Sequence, residues 1–176
     1  MKAFKKIIAL SSLLLAAAYA DAQPTLPDFF GDSMVLQRDQ PLRIWGISGQ
    51  SGTVTITLNG QRKTAVINPK GGFYAELTPE KAGGPYDLVV EDKKGKTVLH
   101  GVLMGDVWFC SGQSNMEMPI KGWGTVYNAD EEIKNASHPQ IRLYTVTKKV
   151  STWPEHKLEG ASWQVCSPSA LSLIHI

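Results

Sequence analysis

From residue 34 to about residue 103, apolar residues come in short bursts with turn residues between them. Runs at 34–37, 42–45, 53–58, 62–67, 73–77, 86–91 and 97–99 each read as a strand. The clearest is 53–58, where Val54, Ile56 and Leu58 alternate with threonines and so share one face. Asn59-Gly60 comes directly after it. Both residues tolerate the positive φ of a type I′ turn, so 53–58 and 62–67 are expected to pair as a hairpin. Clusters rich in Gly, Pro, Asn and Lys at 68–72, 81–85 and 92–96 mark further turns. About seven short strands with regular turns predict a β-sandwich over 24–103.

Beyond residue 103 the pattern changes. Val107-Trp108-Phe109-Cys110 is an apolar run of strand character that leads into Ser111-Gly112-Gln113-Ser114-Asn115, a small polar turn. A turn just outside the carboxyl end of a strand is where ligand sites form in open α/β sheets. Ser114 is therefore a candidate nucleophile, or else a simple N-cap for the next turn of chain. Residues 119–124 read as loop. Residues 128–136 read as a short helix with Asp130, Glu131 and Glu132 near its N-terminus, and 141–146 as a strand. Strand, helix and strand in that order begin an α/β domain.

The 176 residues are 43% hydrophobic and 19% charged, which suits a folded chain. Residues 1–22 read as a secretory signal peptide: Lys2, Lys5 and Lys6 precede an apolar run that ends in Ala-Asp-Ala. Cleavage after Ala22 makes Gln23 the mature N-terminus, and an exported, periplasmic or extracellular protein is expected. Export also changes the reading of charge. Of the 18 basic and 16 acidic residues, the leader holds three and one, so 15 of each remain. The formal +2 disappears, and nothing points to a nucleic acid or, once the leader is removed, to a membrane. Cys110 and Cys166 either pair or stay as two buried thiols, and separate thiols are preferred. No Cys or His pair has metal-ligand spacing, so neither a metal nor a cofactor is expected.

The segment Gly105-Asp106-Val107-Trp108-Phe109-Cys110-Ser111-Gly112-Gln113-Ser114-Asn115-Met116-Glu117-Met118-Pro119 closely resembles the nucleophile block of the sialate O-acetylesterase family, esterases of the SGNH type. Residues 30–37, the Trp45-Gly46 pair and residues 163–168 also resemble that family. The resemblance implies an all-β sandwich followed by the truncated start of a flavodoxin-like SGNH domain over 104–170. It implies that Ser114 is the nucleophile, with its own backbone N–H as one oxyanion donor, and that Gly112, Gln113 and Asn115 shape the supporting turn. Its catalytic histidine lies near the far end of the domain in an Asp-x-x-His motif. None of His100, His138, His156 and His175 has Asp three residues before it, so the triad is expected to be incomplete in this chain.

Residues 171–176 resemble a translated sequencing adapter and are expected to be a non-native tail. Gly31-Asp32-Ser33 spells the opening of other SGNH hydrolases, but no apolar strand feeds it, so a surface turn is expected there. The Gly-x-Ser-x-Gly elbow fails at Met116. The implied function is removal of O-acetyl groups from sugars, foremost sialic acids, with the O-acetylated glycan as partner. An acetylxylan-type polysaccharide esterase and a non-catalytic glycan-binding sandwich are the alternatives. Residues 24–103 are expected to fold independently, with the segment past Met118 loose.

Overall fold

The computed structural model describes residues 23–116, 118–123, 126–153, 158 and 160–172. Residues 1–22, where a leader is expected, the last four residues and His156 lie outside the described residues. The chain is mostly β. Seven strands come first: β1 (Val35–Gln37), β2 (Leu42–Ile47), β3 (Thr53–Leu58), β4 (Gln61–Val66), β5 (Gly72–Leu77), β6 (Gly83–Glu91) and β7 (Lys96–Gly105). They form a five-stranded mixed sheet in the order β1-β7-β6-β3-β4 and a two-stranded sheet, β2-β5. Both sheets bury one face in a common core. Leu42, Ile44, Phe73, Ala75 and Leu77 come from the smaller sheet, and Val54, Ile56, Leu58, Leu88, Val90, Val102 and Met104 from the larger.

Local signals explain most of this. Val54, Ile56 and Leu58 all face inward, as their alternation requires. Leu58 pairs with Gln61 across Asn59 (φ 45°) and Gly60 (φ 77°), both in the left-handed region that the I′ turn demands. One boundary differs. Gly83-Gly84-Pro85 is not a turn but the irregular start of β6, with a cis Gly84–Pro85 bond and register shifts around Tyr86. Pairing of Gly83 with Met104 carries β7 on to Gly105, so His100 lies within a strand and the chain leaves β7 at Asp106.

After β7 come a 3-10 turn at Ser114–Met116, helix α1 (Ala129–Asn135), strands β8 (His138–Tyr144) and β9 (Trp163–Cys166), and helix α2 (Pro168–Ser172). The strand expected at 107–110 does not form. A strand needs a neighbour to take up its backbone hydrogen bonds, and among the described residues none is offered there. β8 pairs antiparallel with β9 instead, which makes His138 a strand residue and not a loop one. The strand–helix–strand start of an α/β sheet is therefore not assembled among the described residues.

The β8–β9 pair is also not loose. Trp163 packs against the seven-strand core, its indole N–H donates to the Phe29 carbonyl at 2.7 Å, and its ring lies 5.1 Å from that of Tyr144. The Leu158 N–H donates to Asp28 Oδ2 at 2.8 Å. Loop 27–30 thus ties the later segment to the first seven strands.

Candidate active site

The candidate site begins where β7 ends. β1 runs parallel to β7 with Gln37 beside Gly105, and the two residues at its end fasten the outgoing chain. The Arg38 backbone N–H donates to the Gly105 carbonyl at 2.9 Å, and its Nε donates to Asp106 Oδ1 at 2.9 Å. The Val107 N–H donates to Gln37 Oε1 at 2.8 Å. The Arg38 hydrogen bond, helped by its charge, holds the Asp106 carboxyl below its usual range, and Asp106 in turn raises Arg38. Both groups are exposed, so the pair serves as a geometric tether and adds little stability. Gln37 and Arg38 escaped the sequence reading. The signal for them is faint: they are the polar pair at the end of the 34–37 run.

Past this tether the chain is exposed. Trp108 is 85% and Phe109 90% exposed, and Cys110 is an exposed free thiol. The expectation of a buried Cys110 therefore fails, because the strand that was to bury it is not formed. Cys166 is buried and free, with its Sγ 3.8 Å from the Ala136 carbonyl.

Ser114 opens the 3-10 turn and is exposed, as are Gly112, Gln113 and Asn115. The Met116 N–H donates to the Gln113 carbonyl at 2.9 Å and closes the turn. Gly112 stands close to Met116 within this turn. Its φ lies outside the left-handed region, and a Cβ there would stand 2.6 Å from Met116 Cγ. Any larger residue there requires the Met116 side chain to shift. The four expected residues are thus brought into one solvent-facing turn with Ser114 at its start. A hydroxyl so placed can reach an external ester, but it needs a base to take its proton.

Among the described residues, no side chain hydrogen-bonds the Ser114 hydroxyl, and none of the groupings of His, Cys, Asp and Glu is fit to hold a metal ion. His100 is engaged elsewhere, with Nδ1 3.0 Å from Asp87 Oδ1. The other Gly-Asp-Ser is a turn. Ser33 has φ 63°, its N–H donates to the His100 carbonyl at 2.7 Å, and Asp32 Oδ1 accepts from the His100 N–H at 2.7 Å. Asp32 and Ser33 are thus spent on pinning the loop to β7.

No family model matches the chain. A crystal structure of a carbohydrate acetylesterase from Xanthomonas citri superposes with a TM-score of 0.80 at 34% identity, over 86% of this chain and 34% of that one. Sialate O-acetylesterase of Rattus norvegicus is 33% identical over 159 residues, 84% of this chain and 29% of that protein. The Homo sapiens protein of the same name is 32% identical over 159 residues, 84% of this chain and 30% of its own length. The structural likeness is thus to a carbohydrate esterase. More narrowly, the chain belongs to the sialate O-acetylesterase family. It spans about three tenths of the length of the curated relatives it matches.

Proposed function

We propose that this chain is the N-terminal part of an exported carbohydrate O-acetylesterase in which Ser114 is the nucleophile. The single observation that carries the reading is an exposed serine opening a 3-10 turn, in a chain that belongs to the sialate O-acetylesterase family. In this reading residues 24–103 are a β-sandwich, and 104–170 begin an SGNH domain that further chain completes. Ser114 Oγ attacks the carbonyl carbon of a sugar acetate, and its proton passes to a histidine in that further chain. The backbone N–H of Ser114 donates to the oxyanion. Collapse breaks the bond to the sugar oxygen, which takes the proton and leaves as the hydroxyl. Water then releases acetate from the acetyl-serine by the reverse sequence.

The mammalian relatives are named for sialate and the Xanthomonas protein for carbohydrate acetate in general. Sialic acid acetates are the first choice of substrate, and acetylated plant polysaccharide the second. The 176 residues alone should hydrolyse aryl acetates little if at all, because an isolated serine with a partial oxyanion hole gives small catalysis. In the parent protein, Ser114→Ala should abolish acetate release from O-acetylated sialic acid with the fold intact, and Ser33→Ala should leave the rate unchanged. Loss with Ser33→Ala and retention with Ser114→Ala would identify the wrong serine.

A further inference from the structure

The outer face of the β2–β5 sheet carries a second constellation, far in sequence from Ser114. Two cross-strand pairs stand side by side on it, Arg43 with Glu76 and Trp45 with Tyr74. Arg43, Trp45 and Tyr74 line an open groove with Val66 and Asn68, and Glu76 stands beside it, bonded to Arg43 and Tyr74. Trp45 is 39% exposed and Tyr74 54%. A solvated sheet face does not need two large aromatics directly opposite each other.

These side chains are held in place before any ligand arrives. The Trp45 ring lies 5.3 Å from Phe29 and 5.1 Å from Phe30, the latter edge-on at 83°. The Tyr74 hydroxyl donates to Glu76 Oε2 at 3.1 Å, and Arg43 Nε donates to the same oxygen at 3.4 Å. Asn68 Oδ1 already accepts from the Lys70 and Gly72 N–H groups, so its amide nitrogen is the group left to offer.

The chemistry of the groove selects its occupant. Arg43 and Glu76 cancel, so nothing here attracts a phosphate backbone or an acidic peptide. An apolar partner helix would cut Arg43 and Glu76 off from water, which is costly. A sugar ring suits both halves of the face. Its C–H side covers aromatic carbon, and its hydroxyls meet fixed acceptors on Glu76 and donors on Arg43 and Asn68. We propose that this face binds a neutral glycan chain, with pyranose rings laid on Trp45 and Tyr74. The proposal goes beyond the esterase reading and does not use Ser114.

The test is calorimetric titration of the full 176-residue chain with xylohexaose and cellohexaose, and with 3′-sialyllactose as the acidic comparison. At least one neutral oligosaccharide should bind. Affinity should fall roughly tenfold in Trp45→Ala and in Tyr74→Ala, as for aromatic anchors in other interfaces. Trp45 also packs on Phe29 and Phe30. If Trp45→Ala does not fold, Tyr74→Ala and Arg43→Ala decide the matter, since both side chains belong to the outer face. Four results would overturn the proposal: no neutral binding, binding undiminished in the face variants, preference for sialyllactose, or binding lost in Ser114→Ala but kept in Tyr74→Ala. Self-association that Tyr74→Ala removes would also overturn it, in favour of a second copy of the chain. Sugar binding lost with Tyr74 stands whether or not the parent protein releases acetate, so this proposal and the esterase reading fail separately.

Discussion

A Cβ on Gly46 would stand 2.2 Å from the Thr25 carbonyl oxygen and 2.8 Å from Phe73 Cζ. The Thr25 backbone crosses β2 there, exchanging hydrogen bonds with Ile47 at 2.8 and 2.9 Å. Gly46→Ala must break that bridge or displace a core ring, and should cost on the order of 3 kcal/mol. Gly60→Ala meets nothing within 4 Å and carries only the strain of φ 77°, so about 1 kcal/mol is expected. Urea unfolding of the two variants checks the order, and an equal loss in both would contradict it. The pair also separates what sequence discloses at this scale. Gly60 was legible because Asn-Gly carries its own reason. Gly46 was not, because its reason is a backbone segment distant in sequence. Ser114 was singled out by the turn residues around it and by the resemblance of its block to an esterase family, whereas the tether of Arg38 to Asp106 needed the fold to bring the two together.

Among elements, the strands that could be read were those with period-two burial and a strong turn at one end, β3 and β4 above all. The run at 107–110 has strand composition but no neighbour among the described residues, and composition cannot supply a hydrogen-bonding partner. Turns, by contrast, are local and their chemistry can be tested. In the turn between β6 and β7, Asp92 Oδ1 accepts the N–H groups of Lys94 and Gly95 at 2.8 and 3.1 Å, and Oδ2 accepts the hydroxyl of buried Ser48 at 2.6 Å. Burial pushes the Asp92 pKa up, but the hydrogen bonds from Ser48 and the two N–H groups outweigh it, and the net shift is downward. A carboxyl lowered in the folded state contributes stability above its unfolded pKa of about 3.9, and that stability is lost as pH falls through the folded value. Ser48→Ala should therefore cost about 1–3 kcal/mol at neutral pH, and the gap to the natural chain should narrow near pH 3. Denaturation at the two pH values measures it; a gap independent of pH would mean that Asp92 is not the partner that matters.

For the whole molecule, the sequence suggested a free-standing sandwich and a loose remainder, but Trp163 joins the two. Its N–H reaches the Phe29 carbonyl, and beside it Leu158 is tied to Asp28. Neither contact has a local signature, because each joins residues more than a hundred positions apart. Limited proteolysis of the natural chain should leave a fragment extending past Val146, and Trp163→Ala should shorten it to an end near 101–106. A natural chain that is trimmed to that point anyway would leave the docking without weight. Trp108, Phe109, Trp123 and Trp153 remain exposed at this scale, the kind of apolar surface that marks an interaction site. In the proposed parent protein it is where the completing chain would lie. The esterase reading rests on Ser114 being the activated nucleophile, and covalent capture tests that most directly. The parent protein, treated with an organofluorophosphonate that traps a serine nucleophile by displacing fluoride, should carry one adduct by mass spectrometry, on the peptide containing Ser114. An adduct on the peptide containing Ser33, or an enzyme that releases acetate while Ser114 stays unlabelled, would contradict it.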